Sequence, residues 1–334
     1  MNDLFKFLHH KYSKDSTKWY PFLSVFYLTN SCNFKCPYCS DGYGNPYYTL
    51  SKKSLPSNEV LKVLKSIRNN CDNIVLTGGE PLLHPDFDEI ILKIKDLKFK
   101  EVVLTTNGYN IDKFIPNIIQ SVTTLVFSID TLNEKRADNW FGVGEGTFNK
   151  IISSIQDIEK IPERKLEIVI SAVATPENIS DLYEVYDFSQ KHKFTFAVAP
   201  QLVGVKAHEK LQNNEEYIQF FNFLIQEKKK RRKIFGTTLY LTNMRDLKKF
   251  TCKPFTMLVV SPLGDVYYPC LEIGNYAGNL LVDDNLHKIR GVGLKTFGEV
   301  PNCDTRCHSA CALGFGLIFS KPYSTALDVI SYGL

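Results

Sequence analysis

Long apolar runs are missing from this sequence of 334 residues. The longest one, around residues 257–263, is short and contains Ser261 and Pro262, so the sequence predicts no membrane-spanning segment. The first residues, MNDLFKFLHHKYSK, lack the charged and then apolar pattern of a secretory signal. We therefore expect a cytoplasmic protein that has no membrane partner.

A strong excess of one charge is also missing. Lys and Arg number 40 against 36 Asp and Glu, a net charge of +4, which indicates binding neither to nucleic acid nor to a membrane surface. Internal repeats and low-complexity tracts are absent as well. Hydrophobic residues make up 44% and charged residues 23% of the chain, and these shares exclude a disordered or fibrous protein.

Short apolar runs alternate with amphipathic segments between residues 22 and 200. The runs, each bounded by Gly, Pro, Asn or Asp, predict strands at residues 22–29, 73–77, 101–105, 123–129, 166–173 and 194–199. Helices are predicted between them, at residues 57–69, 86–97, 111–120, 146–158 and 178–191. Six strands alternating with helices indicate an α/β fold with a parallel sheet. The periodicity does not distinguish a barrel from an open, doubly wound sheet.

The pattern changes after residue 233. A predicted helix at residues 214–230 ends in the basic run KKKRRK, which is typical of a solvated helix end, and short strands follow at residues 257–260, 264–268 and 275–281. Gly264 and Asp265 indicate a hairpin turn, which would bring Cys252 and Cys270 close together. We therefore expect an N-terminal segment (residues 1–21), an α/β domain (22–235) and a cysteine-rich domain (236–334).

Cysteine is the unusual component of the composition. The chain has nine, an odd number without an export signal, so a disulfide framework is not expected. Cys71 stands alone and is interpreted as a small buried hydrophobic residue. The others form two groups: Cys32, Cys36 and Cys39, then Cys252, Cys270, Cys303, Cys307 and Cys311. Closely spaced thiols in a reducing compartment indicate metal or iron–sulfur ligation.

The first group lies in the segment CNFKCPYC, directly after the first predicted strand. Its Cys-x3-Cys-x2-Cys spacing can turn three thiolates toward one centre. Three are one too few for a closed tetrahedral zinc site, but on a cubane cluster they leave one iron open to an outside ligand. A zinc loop completed by a distant His or Cys is the alternative.

This segment resembles the signature of the radical S-adenosylmethionine (radical SAM) superfamily, including the aromatic residue before the third cysteine, Tyr38. Three further motifs of that superfamily follow in order after the next strands: the GGEP motif at residues 78–81, Thr106-Asn107-Gly108, and Ser128-Ile129-Asp130. The resemblance implies an α/β fold with a partial (β/α)6 TIM-like barrel. It also implies a [4Fe–4S] cluster on Cys32, Cys36 and Cys39.

The same resemblance implies how S-adenosylmethionine (SAM) is held. Glu80 would accept hydrogen bonds from the methionine amino group. Asn107 and Ser128, at the carboxyl ends of strands, would reach the ribose hydroxyls and the carboxylate. Asp130 would orient SAM or face the substrate. The implied cofactor contacts are Tyr38, Gly78, Gly79, Glu80, Asn107 and Ser128.

The second cysteine group resembles the SPASM and twitch extensions of radical SAM enzymes, which bind auxiliary iron–sulfur clusters. The resemblance implies a small C-terminal cysteine-rich extension made of a β-hairpin and helices. Five cysteines suit one auxiliary cluster with four ligands and one thiol to spare, and which of Cys303, Cys307 and Cys311 take part is left open. A zinc site made by four of these thiolates is the alternative.

The resemblance implies an oxidoreductase or epimerase that cleaves SAM to a 5′-deoxyadenosyl radical, which then removes a hydrogen atom from a C–H bond. We expect dehydrogenation or epimerisation of a small natural-product or sugar-type substrate, with Glu272 as a candidate general base. The auxiliary cluster would accept an electron in a dehydrogenase, and the spare thiol would return hydrogen in an epimerase. An electron donor such as flavodoxin or ferredoxin is an implied partner.

Three other functions are considered. One is a SPASM-type maturase of a ribosomally made peptide, for which residues 1–21 are too few to form a recognition domain, although a separate protein can supply one. A non-catalytic metal-binding protein is not favoured because the motifs are intact. Cobalamin-dependent methylation is not favoured either, because no cobalamin domain fits before Phe22.

Overall fold

The computed structural model describes residues 3–15, 17–40, 44–162, 165–298 and 307–333. Its helices are α1 (Asp3–Tyr12), α2 (Ser57–Asn70), α3 (Phe87–Ile94), α4 (Ile115–Ser121), α5 (Glu134–Phe141), α6 (Thr147–Glu159), α7 (Asp181–Lys191), α8 (Glu215–Lys229), α9 (Thr238–Asp246), α10 (Leu286–Phe297), α11 (Ala310–Ser320) and α12 (Pro322–Tyr332). Its strands are β1 (Leu23–Thr29), β2 (Asn73–Gly78), β3 (Glu101–Thr106), β4 (Thr124–Ser128), β5 (Glu167–Ala174), β6 (Thr195–Pro200), β7 (Leu202–Val203), β8 (Lys206–Ala207), β9 (Met257–Val260), β10 (Asp265–Tyr268) and β11 (Asn275–Asn279). Within these residues no helix is both long and apolar enough to span a membrane.

The six strands predicted between residues 22 and 200 are all present. β1 to β6 each begin and end within one residue of the predicted bounds. β1 pairs with β2, β2 with β3 and β5 with β6, in every case parallel. The predicted α/β class with a partial (β/α)6 arrangement is therefore confirmed.

The chain forms two compact units. The first contains the described residues within 1–126, 138–166 and 254–302, and the second those within 127–137, 167–253 and 303–334. In the first unit the strand order is β11-β10-β9-β1-β2-β3, continued by residues 124–126 of β4, and β11 forms an open edge, so this sheet does not close into a barrel. The two units do not follow one cut along the chain, and the boundary near residue 235 stays a prediction.

The hairpin predicted around Gly264 is present and extends the sheet of the first unit. β9 runs parallel to β1, with Val25 opposite Val259, and β10 returns antiparallel to β9. The turn is closed by the Ser261 amide, which donates to the Asp265 carbonyl oxygen at 2.8 Å. β9 is buried along its whole length, which explains its continuous apolar sequence MLVV.

The two faces of this sheet differ. Phe26, Leu76 and Leu104 on β1 to β3 are fully buried, and burial of each such side chain contributes roughly 1.5–3 kcal/mol to stability. Tyr27 and Thr77 are the next residues after Phe26 and Leu76, so they lie on the opposite face of the sheet, and they are only half-buried. The second face is therefore less completely covered than the first.

The helices that the sequence pattern did not predict include α10 and α11, both interrupted by glycine. Glycine within an apolar pattern normally indicates a turn. Here it makes room for an aromatic ring: a Cβ on Gly293 would lie 2.3 Å from the ring of Tyr268, and one on Gly316 would lie 2.7 Å from the ring of Phe250. Close packing, which periodicity does not reveal, therefore determines these helices.

Candidate functional site

The first cysteine group lies on an irregular loop that leaves the carboxyl end of β1. Cys32 and Cys36 are half-buried and Cys39 is exposed. The Phe34 amide donates to the Cys32 sulfur at 3.4 Å, and the Cys39 amide donates to the Cys36 carbonyl oxygen at 3.1 Å. Burial raises the pKa of the Cys32 thiol to about 11. A bound metal would stabilise the thiolate that this environment disfavours.

Aromatic packing holds the cysteine loop in place. Phe34 stacks on Phe141, with ring centroids 4.2 Å apart, and the Lys35 amide donates to the Phe141 carbonyl oxygen at 2.9 Å. Tyr38, the aromatic residue of the predicted signature, packs edge-on against Trp140 at 5.3 Å. The Tyr38 ring thus contributes to the shape of the loop, and its contact with a cofactor stays a prediction.

The Gly78-Gly79 pair packs against the start of the cysteine loop. The Gly79 amide donates to the Thr29 carbonyl oxygen at 2.8 Å. A Cβ on Gly78 would lie 2.2 Å from that same oxygen, and one on Gly79 would lie 2.5 Å from the Asn30 carbonyl oxygen. The sequence indicated that these glycines allow a close approach to a ligand; in the structure, the close approach that needs them is to the backbone of residues 29–31.

Glu80 joins the ends of β2 and β3. Its side chain is only 2% exposed. One carboxylate oxygen accepts from the Leu82 amide at 3.0 Å and the Thr106 hydroxyl at 2.8 Å, and the other accepts from the Asn107 amide at 2.7 Å. Two oxygens offer about four acceptor positions, so the carboxylate can take a further donor such as an ammonium group.

Burial raises the pKa of Glu80 to about 7, although its three hydrogen bonds favour the ionised form. The folded state therefore holds the proton more tightly than the unfolded chain, whose carboxyl titrates near 4.5. The free energy of unfolding should fall as the pH rises from about 4.5 to 7, by on the order of 3 kcal/mol from this group. Urea unfolding of the metal-free protein at several pH values should show this slope in wild type and lose it in Glu80→Gln. The exposed Glu145→Gln is the control, and equal slopes in all three proteins would contradict the expectation.

Asn107 connects this network to the cysteine loop through a residue that the sequence analysis missed. The Asn107 side chain accepts from the Tyr109 amide at 3.0 Å, and its Nδ2 donates to Oδ1 of Asn33 at 3.0 Å. Nδ2 of Asn33 is buried and has no hydrogen-bond partner among the described residues. Its position between Cys32 and Cys36 was the available signal, but an Asn in a loop is too common to be singled out from sequence.

Ser128 and Asp130 lie in the second unit. Ser128 is the last residue of β4 and is half-buried. Asp130 is buried, and its carboxylate accepts from the Val173 amide at 2.6 Å while its carbonyl oxygen accepts from Nδ2 of Asn178 at 2.9 Å. These bonds give Asp130 a structural function between the end of β4 and β5. Its role toward SAM or substrate stays a prediction.

Members of the second cysteine group occur in both units. Cys270 follows β10 in the first unit, Cys303 lies outside the described residues, and the other three belong to the second unit. There the Lys248 carbonyl oxygen lies 3.1 Å from Nε2 of His308, and a Cβ on Gly316 would lie 2.8 Å from the Thr251 carbonyl oxygen. The residues just before Cys252 therefore contact the segment that carries Cys307 and Cys311.

Glu272, the candidate base, belongs to a cluster with tyrosines in the first unit. The rings of Tyr27 and Tyr47 stack 6.2 Å apart, and the hydroxyl groups of Tyr267 and Tyr276 are 3.1 Å apart. Burial, then the neighbouring Tyr47 and Glu272, raise the pKa of Tyr27 well above its usual value. We call Tyr27, Tyr47, Tyr267, Tyr276 and Glu272 the tyrosine cluster; Tyr27 is on the half-buried face of the sheet.

The residues of the first site fit an iron–sulfur cluster and SAM. Three thiols project from one irregular loop, and a buried amide nitrogen beside them lacks an acceptor among the described residues. In the described ranges, no three or more Cys, His, Asp or Glu side chains are close enough together to hold a single metal ion. In a cubane each thiolate binds a different iron, so the three sulfurs need not meet at one point.

Sequence comparison matches residues 26–189 to the radical SAM superfamily profile. A protein of Sulfolobus acidocaldarius described as a probable GTP 3′,8-cyclase is 29% identical over 167 residues, which cover 48% of this chain and 50% of that protein. Molybdenum cofactor biosynthesis protein 1 of Mus musculus is 34% identical over 131 residues, or 38% of this chain and 20% of that protein. The chain thus spans at most half the length of these two relatives.

Structural comparison agrees with the sequence match. The crystal structure of Streptococcus suis SuiB bound to S-adenosylmethionine superposes with a TM-score of 0.64 and 20% identity, covering 83% of this chain and 68% of that one. At this identity the likeness shows a shared fold. The family match over residues 26–189 shows that this part of the chain is a radical SAM domain, and members of that superfamily use a [4Fe–4S] cluster and SAM.

Proposed function

We propose that this enzyme cleaves SAM reductively and removes a hydrogen atom from a C–H bond of a small substrate. This proposal rests on the hydrogen bonds that connect the three-cysteine loop with the ends of β2 and β3. The Gly79 amide donates to the Thr29 carbonyl oxygen at the end of β1 and the Glu80 amide to the Ser31 carbonyl oxygen of the loop, both at 2.8 Å. The side chain of Asn107 donates to that of Asn33 in the same loop. When bound, the cluster and SAM supply a 5′-deoxyadenosyl radical.

In this proposal the residues around the loop bind and orient the cofactor. Cys32, Cys36 and Cys39 hold the cluster and leave one iron for SAM. Glu80 accepts from the methionine ammonium group with the acceptor positions that its protein partners do not use. Backbone and side chains near Gly78, Gly79, Tyr38, Asn107 and Ser128 shape the rest of the SAM site.

We place the substrate beside the tyrosine cluster, on the half-buried face of β1. Tyr27 precedes the end of β1 by two residues, and in sheets of this kind the carboxyl ends of the strands carry the site. The groups that raise the pKa of Tyr27 include Glu272 and other tyrosines, so the surroundings favour a neutral or cationic ligand. Phenol rings and one carboxylate suit a hydroxylated or amino-bearing ring, such as a sugar or an aminocyclitol.

Dehydrogenation and epimerisation both fit these groups. After hydrogen abstraction a dehydrogenase must remove a proton and an electron from the substrate radical. We propose that Glu272 accepts the proton as general base. We propose that four of Cys252, Cys270, Cys303, Cys307 and Cys311 hold an auxiliary iron–sulfur cluster, which suits the electron-accepting role. A fifth, unligated thiol suits the hydrogen donor of an epimerase.

Modification of a ribosomal peptide is the second candidate. SuiB, with which this chain shares its fold, has been crystallised with its precursor peptide SuiA, and that structure superposes with a TM-score of 0.63. The sequence relatives instead include a probable GTP cyclase, whose name describes a small-molecule substrate. This match favours the small-molecule proposal, and a flavodoxin or ferredoxin would supply the reducing electron in either case.

Anaerobically reconstituted protein, dithionite and SAM should yield 5′-deoxyadenosine, measured by liquid chromatography and mass spectrometry. Formation should increase with the true substrate, and deuterium from its reactive carbon should appear in the 5′-deoxyadenosine. The trial compounds are amino sugars, aminocyclitols and GTP. Glu272→Gln should slow product formation, because it removes the base that accepts the proton. The exposed Glu145→Gln should behave as wild type. An iron-loaded protein that never forms 5′-deoxyadenosine would contradict the proposal.

A further inference from the structure

A buried amide nitrogen without an acceptor lies between the first two cysteines of the loop. Nδ2 of Asn33 has no hydrogen-bond partner among the described residues, whereas Oδ1 of the same side chain accepts from Nδ2 of Asn107 at 3.0 Å. Leaving a buried donor unsatisfied costs about 1–3 kcal/mol, so such groups require an explanation.

The orientation of this amide follows from its neighbours. The Tyr109 amide can only donate, so the atom of Asn107 that faces it at 3.0 Å must be Oδ1. Nδ2 of Asn107 then points to Asn33 at 3.0 Å, and it must meet the oxygen of that side chain. A flipped Asn33 would place two amide nitrogens against each other. The group without a partner is therefore a donor, Nδ2–H, and it needs an acceptor.

Two observations indicate an acceptor that belongs to the bound cofactors. Asn33 is the residue after Cys32, and the Phe34 amide already donates to the Cys32 sulfur at 3.4 Å, so this part of the loop presents donors where the cluster would be held. Through Asn107, whose own amide donates to Glu80 at 2.7 Å, Asn33 is also connected to the proposed binding site for the methionine part of SAM.

We propose that Asn33 is a positioning residue whose Nδ2–H donates a hydrogen bond to an anionic acceptor of the cofactor assembly, either a sulfur of the cluster or the SAM carboxylate. This inference rests on the proposed role of the three cysteines as cluster ligands. A bond to a cluster sulfur would raise the reduction potential, since such bonds are among the factors that set it. A bond to the carboxylate would strengthen SAM binding and leave the potential of the SAM-free cluster unchanged.

Asn33→Asp and Asn33→Ala test the proposal in the reconstituted full chain. Asn33→Asp keeps the oxygen that Asn107 needs but removes the donor, so it remains informative if Asn33→Ala fails to fold. Asn58→Asp, on the exposed surface of α2, introduces the same charge elsewhere. The readouts are iron content, the midpoint potential of the SAM-free cluster by electron paramagnetic resonance, and the Kd of SAM.

Both Asn33 variants should load iron as wild type does. A lower midpoint potential in both variants, including the uncharged Asn33→Ala, would assign the bond to a cluster sulfur. A Kd for SAM raised about 10- to 100-fold at an unchanged potential would assign it to the carboxylate. Values equal to those of Asn58→Asp in both measurements would overturn the proposal while leaving the proposed function intact. A wild-type protein that binds no iron would overturn both.

Discussion

The variant with alanine at Cys32, Cys36 and Cys39 is expected to lose the SAM-binding cluster and all formation of 5′-deoxyadenosine. No other cysteine lies on this loop, so no thiolate remains there to hold iron. After anaerobic reconstitution we expect about eight iron atoms in wild type and about four in the variant, because the auxiliary cluster is retained. Iron and sulfide analysis with the 5′-deoxyadenosine assay gives the result.

Cys71→Ala is the matched control. Cys71 is buried outside both cysteine groups, and its replacement should lower stability slightly while leaving iron and activity unchanged. If wild type holds about four iron atoms and the triple variant none, the auxiliary cluster does not exist, and the dehydrogenation proposal loses its electron acceptor. Full iron in the triple variant would contradict the assignment of the first site.

Gly79→Ala is expected to have the second largest effect. The new Cβ would lie 2.5 Å from the Asn30 carbonyl oxygen and 2.6 Å from the Ser31 carbonyl oxygen, and backbone atoms cannot rotate away as a side chain can. The start of the cysteine loop must therefore move relative to β2. We expect a loss of about 3 kcal/mol or more in the free energy of unfolding, and loss of SAM cleavage. Urea unfolding and the 5′-deoxyadenosine assay measure the two effects.

Gly291→Ala is the control for this substitution. Gly291 lies in α10 with no atom within 4 Å of the position of a Cβ, so alanine should stabilise the helix by about 0.5–1 kcal/mol and leave activity unchanged. A Gly79→Ala protein as stable and active as wild type would mean that residues 29–31 and Gly79 are not packed as closely as the structure shows.

The site illustrates why local patterns predict residue types better than contacts. The cysteine spacing and the GGEP motif are local, so they could be recognised in the sequence. The donors to Glu80 come from Leu82, Thr106 and Asn107, and the last two are the final residue of β3 and the residue that follows it. The role of Asn33 could be recognised only in the folded structure, because its hydrogen-bond partner Asn107 lies 74 residues further along the chain.

The six strands from β1 to β6, their order along the chain and the α/β class follow from apolar periodicity, because a buried strand needs apolar side chains along its own length. The addition of β9 beside β1 does not follow from periodicity, since it depends on pairing between residues 234 positions apart, such as Ser24 and Leu258. The same holds for α10 and α11, whose glycines accommodate aromatic rings from distant segments. The chemistry of the loop is therefore encoded locally, whereas the surroundings that orient it arise from packing and hydrogen bonds between segments that only the folded chain brings together.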